Sequence, residues 1–385
     1  MPLPAIRPTF LAIAALLFAA CGDGDKPLAR AQDPPAPSQT PVPRDTVPPW
    51  TPRPITAPPT DHPDTVSAGP VAAPDSGVPV VMRRRFVVSA TDSARWPVKT
   101  AEPLAGSLLP EHRIVAYYGN PRSSRMGILG QLPKEEMLQR LEQTAVEWAK
   151  ADTARKVMPA LHLIAVVAQG RPGPGRKYRF RMSDSLVDEV ASWAERRGWI
   201  IFLDIQTGHS TIAQELPELV GFLQRPYVHL ALDPEFALGP GGVPGRRIGT
   251  LDAADVNLAI RTLADLVSRY HLPPKVLVVH RFNRRMLTRS SLIQLDPRVQ
   301  VVVNMDGFGA PYHKLAAYRS YIVPYPVQYT GLKLFYKNDR VFRGRDRPPD
   351  CTAAVDLVVG CGRDGLMTPA QVLEIFPQPL YIQYQ

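Results

Sequence analysis

The chain has 385 residues, including 43 Pro and 3 Cys, and its formal net charge is +10. This charge comes mainly from scattered Arg, with dense basic stretches only at residues 82–86 and 281–286. Because no aromatic-rich nucleic-acid motif accompanies them, we expect no nucleic-acid partner; anionic lipid headgroups or wall polymers are the expected attractors.

The first twenty residues have the pattern of a signal peptide. Arg7 supplies a positive charge, and residues 10–20 form an apolar run too short to span a bilayer stably. Ala19 and Ala20 directly before Cys21 resemble the lipobox of bacterial lipoproteins. That resemblance implies cleavage before Cys21, acylation of Cys21 and an exported protein anchored at the outer membrane or at the extracytoplasmic face of the cell membrane. The alternative is an ordinary secretory signal.

Residues 21–82 are crowded with Pro, Thr, Ser and Ala and contain few large aliphatic residues. Such a composition cannot bury a core, so we predict an extended, disordered tether. Trp50 within it is expected to be incidental to the fold.

Residues 83–385 form the third predicted region, in which short β-branched and aromatic runs alternate with amphipathic helical patterns. This alternation is typical of repeated βα units on a parallel sheet. Eight strands are predicted, at residues 113–120, 160–168, 199–206, 227–233, 275–282, 299–306, 331–337 and 379–385.

Helices are predicted between these strands at 135–150, 185–197, 211–223 and 252–270, with shorter segments near Leu287, Lys314 and Thr368. Eight strands with interleaved helices favour an α/β fold, a (β/α)₈ TIM-like barrel, with residues 95–110 covering its floor. The alternative is an open doubly wound sheet. No G-x-G-x-x-G follows the first strand, which disfavours that alternative.

Four acids fall at predicted strand ends, where the rim of such a barrel lies: Asp204, Asp233, Glu235 and Asp306. Carboxylates crowded at one rim repel one another, so one of them is expected to keep a proton near neutral pH and to act as a general acid. We predict Glu235 as the acid, Asp233 as the neighbour that sets its pKa, and Asp306 or Asp204 as the second functional carboxylate.

Other polar residues at the predicted strand ends are expected to bind substrate hydroxyls. They are Tyr118, Asn120, Gln206, His280, Asn304, Tyr336 and Gln383. Each acid alone also has a structural interpretation, since a strand-end Asp often caps a helix or pairs with Arg. His280 equally fits a hydrogen-bonded core histidine.

Two resemblances bear on function. The D-x-E of Asp233 and Glu235 is similar to the end of the family-18 chitinase signature, in which the Glu is the acid. The preceding acidic residues of that signature are missing, and Pro234 stands between the two acids. Residues 231–257, 272–282, 301–309 and 381–385 resemble blocks of a family of uncharacterised bacterial exported proteins, many of them lipoproteins, with a glycoside-hydrolase-like TIM barrel. This resemblance implies export and a shared rim.

The sequence therefore predicts an envelope-anchored, carbohydrate-active barrel that hydrolyses a glycan by acid/base chemistry. The alternative is a non-catalytic lipoprotein that binds a wall glycan or a partner. We expect a monomer. No nucleophile elbow surrounds Ser210, which argues against a serine hydrolase.

No cofactor or metal is expected. Asp204, Asp233, His280 and Asp306 are chemically able to hold a metal ion, but no H-x-H or H-E-x-x-H spacing is present. Cys351 and Cys361 are expected to form a disulfide in an oxidising compartment, with two free buried thiols as the alternative.

Overall fold

The computed structural model describes residues 50–56, 86, 88–339 and 366–385. The predicted signal peptide, Cys21 and most of the tether lie outside the described residues. The predicted disulfide partners Cys351 and Cys361 also lie outside them.

Eight parallel strands form a closed barrel, because the first strand pairs with both the second and the eighth. The prediction of an α/β, TIM-like barrel is confirmed, and the open sheet is excluded. The strands are β1 (His112–Gly119), β2 (Lys156–Ala168), β3 (Ile200–Ile205), β4 (Val228–Leu232), β5 (Lys275–His280), β6 (Val299–Met305), β7 (Tyr329–Leu334) and β8 (Tyr381–Tyr384).

The strands are buried on both faces, which explains why they appear in the sequence as continuous apolar runs rather than as alternating patterns. One face packs inside the barrel and the other packs under the helices. The longest strand, β2, shifts register against β3 between Ile164 and Val166. Such an irregularity changes which side chains point inward beyond that point.

Six α-helices of five or more residues surround the barrel in the described part of the chain, besides two four-residue helices at Ala90–Ser93 and Ile128–Gln131. They are α1 (Lys134–Ala151), α2 (Asp184–Glu195), α3 (Ile212–Leu223), α4 (Ala253–Tyr270), α5 (Pro311–Tyr321) and α6 (Pro369–Leu373). Helix α4 begins with a capping box formed by Asp252 and Asp255 and ends at His271 in the left-handed conformation. No helix among the described residues combines the length and apolar character that crossing a bilayer requires.

The connection from β5 to β6 differs from the prediction, because no α-helix forms near Leu287. Two 3₁₀ turns flank the short strand Leu287–Thr288, which pairs with Leu251–Asp252. Thr288 and Arg289 donate hydrogen bonds to the Asp252 carboxylate. These contacts fix the segment to the start of α4 and leave it extended.

Residues preceding β1 cover the floor of the barrel, as predicted. The amides of Leu108 and Leu109 both donate to Gln300 Oε1 at 3.0 Å, near the start of β6. Gln300 Nε2 donates back to the Leu109 carbonyl at 2.5 Å. This end of the barrel is therefore sealed, and the opposite end, where the strands terminate, carries the candidate site.

Trp50 is not incidental, contrary to the sequence-based expectation. Its indole N–H donates to the Trp199 carbonyl at 3.2 Å, and its ring packs against Tyr227. Ile55 forms an antiparallel bridge with Val157, the second residue of β2. Residues 50–56 of the predicted tether thus dock beside the starts of β2, β3 and β4, because an aromatic ring and backbone groups find partners there.

Candidate functional site

Polar side chains converge inside the barrel towards the carboxyl ends of the strands, where barrel folds commonly place their chemistry. The buried members are Tyr118, His162, Asp204, Gln206, Asp233, His280, Asn304, Asp306, Lys333 and Gln383, and Glu235 is half-buried. All four predicted catalytic acids are therefore near this mouth. Gly331 in β7 provides room, since a Cβ there would lie 2.7 Å from Asn304 Oδ1.

Three carboxylates meet at the top of this cluster. One oxygen from each of Asp233, Glu235 and Asp306 lies within 4.8 Å of the others. Strand β4 ends at Leu232, so Asp233 caps a 3₁₀ turn, and its Oδ1 accepts from the Glu235 amide at 3.0 Å. A turn, rather than the strand alternation assumed from the sequence, thus brings the two acids of the D-x-E together.

Burial and like charges act in the same direction on these acids. Burial raises the pKa of Asp233 to about 7, and the charges of Asp204 and Asp306 add to the effect. Burial likewise raises the pKa of Glu235 to about 8, with Asp233 and Asp306 contributing. Glu235 therefore keeps its proton near neutral pH, as a general acid must, whereas Asp233, which has the lower pKa of the two, ionises first.

Below the acid trio, three fully buried side chains from β2, β3 and β5 face one another. Asp204 Oδ2 lies 3.5 Å from His162 Nε2 and 3.8 Å from His280 Nε2. The two imidazole rings have centroids 5.5 Å apart and are nearly perpendicular. Asp204 was predicted at the rim, and the structure places it deeper, between two histidines.

The other ring nitrogens of the two histidines have close partners. His280 Nδ1 lies 3.0 Å from Asp306 Oδ2. His162 Nδ1 lies 2.6 Å from the Tyr381 hydroxyl and 3.1 Å from Gln383 Nε2. These contacts fix the orientation of both rings, so that each Nε2 points towards Asp204.

The charges in this layer influence one another strongly. Burial alone would lower the pKa of His280, but Asp204 and Asp306 outweigh it and raise that pKa. Burial would raise the pKa of Asp204, yet His280 and His162 lower it. Burial lowers the pKa of His162 to about 4. The acid of β3 is therefore the ionised one, in contrast to Asp233 and Glu235.

Lys333 of β7 also reaches the cluster. Its Nζ lies 3.7 Å from the centroid of the Tyr118 ring. Burial lowers the pKa of Lys333, while the surrounding carboxylates, Asp306 first among them, act in the opposite direction. A cation at this position partly balances the acids and is placed to contact a bound polar ligand.

Three amides and one phenol complete the cluster. Gln206 Nε2 donates to Asp233 Oδ2 at 3.1 Å and to the Tyr118 hydroxyl at 3.2 Å. Asn304 Nδ2 donates to Gln383 Oε1 at 3.3 Å, in a deeper part of the barrel. These four predicted binding residues therefore lie in one network with the acids and His280.

Two predicted binding residues lie elsewhere. Asn120 ends β1 in a tight turn, where its side chain donates to the Ile164 carbonyl and accepts from the Arg122 amide. It lines a separate cleft of ≈ 520 Å³ beside the β1 and β2 loops. Tyr336 follows the end of β7, and its hydroxyl lies 3.0 Å from that of Tyr117, on the side facing α1.

His162, Lys333 and Tyr381 belong to the cluster and were not predicted. The sequence prediction considered only the last residues of each strand, and each of these lies before the last inward position. A signal was available for Tyr381, which lies two residues before Gln383 on β8, because residues two apart share a face of a strand.

No protein-family model matches the chain, and neither a curated protein nor a solved structure matches it. The resemblances to exported lipoproteins and to family-18 chitinases therefore remain expectations, and the function has to be argued from the site.

Proposed function

We propose that the chain is a carbohydrate-active, glycoside-hydrolase-like barrel of the cell envelope. The observation that supports this most directly is the meeting of Asp233, Glu235 and Asp306, whose carboxylate oxygens lie within 4.8 Å of one another at the barrel mouth. Glycoside hydrolysis needs a protonated carboxyl group beside a charged one, together with groups that bind sugar hydroxyls.

In this proposal Glu235 is the general acid that protonates the leaving oxygen of the glycosidic bond. It is half-buried and lies beyond the end of β4, so it is the acid nearest to an entering substrate. Asp233 helps to keep it protonated through its negative field. Asp306 is the second functional carboxylate, and one of its oxygens lies within 4.8 Å of an oxygen of Asp233 and of Glu235.

The remaining residues of the cluster would orient the sugar. Gln206 and Tyr118 present an amide and a phenol next to Asp233, and Lys333 adds a cation. Amides, phenols and cations of this kind donate to hydroxyl and carbonyl oxygens of carbohydrates. The proposed ligand is therefore a glycan, and a glycan of the cell envelope follows from the proposed export through the signal peptide and anchoring at Cys21.

The proposal is tested by turnover measurements. The purified full chain is incubated with a panel of envelope glycans and chromogenic glycosides, and Glu235→Gln is compared with Glu218→Gln. Glu218 is an exposed residue of α3, so the second variant is a matched control. We expect Glu235→Gln to lower turnover by about 10²–10⁴-fold with little change in substrate binding, and the control to retain wild-type activity.

A wild type that binds glycans without cleaving any would instead favour the non-catalytic alternative. Equal activities of the two variants would contradict the assignment of Glu235 as the acid.

A further inference from the structure

The layer below the acid trio carries an independent inference. His162, Asp204 and His280 are each fully buried, and they come from three different strands of a rigid barrel. One donor atom from each lies within 4.8 Å of the others. Two imidazole nitrogens and a carboxylate oxygen are the donor set that Zn²⁺ and related first-row divalent ions take in proteins.

The facing atoms have no hydrogen-bond partner among the described residues. This holds for Nε2 of His162, Nε2 of His280 and both carboxylate oxygens of Asp204. Buried polar atoms are nearly always paired, because an unpaired one loses the hydrogen bonds that it makes with water. Three of these atoms, Nε2 of each histidine and Asp204 Oδ2, face one another, and a bound cation would be a common partner for them.

Both separations from Asp204 exceed the length of a hydrogen bond, and the shorter one is close to that of two ligands around a metal ion. A charge-assisted N–H···O bond has a length of about 2.7–2.9 Å. The distances from Asp204 Oδ2 are 3.5 Å to His162 Nε2 and 3.8 Å to His280 Nε2. Two ligands bound at about 2.0–2.1 Å to a tetrahedral Zn²⁺ lie about 3.4 Å apart, close to the shorter of these distances.

The second nitrogen of His280 is held as metal-binding histidines require, since His280 Nδ1 lies 3.0 Å from Asp306 Oδ2. A carboxylate on one ring nitrogen fixes the tautomer, so that the other nitrogen offers its lone pair to the metal. Asp306 thereby connects this layer with the acid trio. His162 Nδ1 lies 2.6 Å from the Tyr381 hydroxyl and 3.1 Å from Gln383 Nε2, and these contacts fix the orientation of its ring.

We propose that His162, Asp204 and His280 form a binding site for a divalent first-row transition-metal ion. Three protein ligands are the number found in catalytic zinc sites, which keep a further position for water or substrate. The inference does not rest on the proposed glycosidase activity, because it concerns a donor set that binds the ion whatever the reaction is.

The test measures metal binding directly. The purified full chain is stripped with a chelator, incubated with Zn²⁺ alone and passed through a desalting column. Elemental analysis then counts the retained Zn²⁺, and calorimetry gives its affinity. We expect about one equivalent in the wild type. His280→Ala and the isosteric Asp204→Asn should lower the affinity by at least about 100-fold. Asp306→Asn should weaken it by about 10–100-fold, since its carboxylate only orients His280.

His209→Ala is the matched control, because His209 lies on a loop and contacts the Gly242 carbonyl. It should bind Zn²⁺ as the wild type does, and circular dichroism checks that every variant is folded.

Co²⁺ loading of the wild type keeps the proposal testable if a variant does not fold. We expect the visible bands of four- or five-coordinate Co²⁺ without a thiolate charge-transfer band, which excludes Cys351 and Cys361 as ligands. A wild type that retains no Zn²⁺ or Co²⁺, a thiolate band, or undiminished binding by folded Asp204→Asn would overturn the proposal.

Discussion

The acidic residues inside this barrel differ in pKa because they lie at different depths and have different charged neighbours, not because their side chains differ in chemistry. Glu235 and Asp233 lie among other acids, and their pKa values are raised to about 8 and about 7. Asp204 lies between two histidines, which lower its pKa. The same carboxyl chemistry therefore supplies proton donors at the mouth and an anion in the layer below.

Glu235→Gln is expected to change how stability depends on pH. In the folded state Glu235 keeps its proton up to a pH of about 8, whereas the unfolded chain loses it near the ordinary value of 4.5. A raised carboxyl pKa therefore contributes stability below 4.5, and this contribution is lost as the pH rises towards 8. Relative to the variant, the wild type should lose about 1–3 kcal/mol of unfolding free energy between pH 4.5 and pH 8.

Urea unfolding in chelator-containing buffer measures this difference. Only the difference between the two proteins is informative, because the charged groups of Asp233, Asp306, Lys333 and His280 act on the same carboxyl group. Glu218→Gln provides the matched control and should follow the pH dependence of the wild type. Parallel pH profiles of the wild type and Glu235→Gln would show that Glu235 has an ordinary pKa in the folded state.

The sequence predicted most residues of the polar cluster but not how deep in the barrel each of them lies. Asp204, Asp233, Glu235 and Asp306 were expected together, and the described structure brings them near one another. His162 was missed because it lies in the middle of β2, at the level of Phe202, with which it stacks. A sequence shows that a strand exists and roughly where it lies, whereas strand tilt and stagger decide which mid-strand residue of one strand faces another.

At the level of elements, the contact between β8 and β1 closes the barrel. Arg113 of β1 is fully buried and donates to Asp152, the C-cap residue of α1, at 2.9 Å and 2.7 Å. It also donates to Gln378 at 2.9 Å and to the Pro379 carbonyl, just before β8. One guanidinium thus joins the last strand, the first strand and the first helix.

Arg113→Ala should lower the free energy of unfolding by about 3–5 kcal/mol, because it leaves the buried Asp152 carboxylate without its main partner. Arg155→Ala is the matched control. Arg155 is partly exposed, and its guanidinium lies 3.9 Å from the same carboxylate, so its removal should cost less than about 1 kcal/mol. Denaturant unfolding of both variants measures the difference. Equally small losses of unfolding free energy in the two variants would mean that the backbone pairing of β8 with β1 closes the barrel without help from Arg113.

The elements were predictable where periodicity was strong. Helices α1 and α4 were expected at 135–150 and 252–270 and extend over Lys134–Ala151 and Ala253–Tyr270. Strand β7 was expected at 331–337 but ends at Leu334. Lys333 lies within the strand and points inward, over the Tyr118 ring. Tyr336 lies beyond the strand end, and its hydroxyl contacts that of Tyr117. An apolar and aromatic run shows that a strand exists, whereas its end depends on pairing with distant strands.

At the level of the whole molecule, the docked segment and the site lie at opposite ends of the barrel. Trp50 and Ile55 contact the residues that begin β2, β3 and β4. The acid trio lies beyond the ends of β4 and β6. A chain that is anchored at Cys21 would therefore reach the barrel at the end opposite to the mouth.

Cys21→Ser tests the proposed anchor. Stable membrane attachment requires more than one acyl chain, and acylation of Cys21 would supply them. In the native host, we expect wild-type chain to fractionate with membranes and to incorporate labelled palmitate, and Cys21→Ser to lose both. Cys351→Ser is the matched control, since Cys351 is a cysteine far from the lipobox and should leave labelling unchanged. A soluble, unlabelled wild type, or labelling that survives Cys21→Ser, would instead fit the ordinary secretory signal.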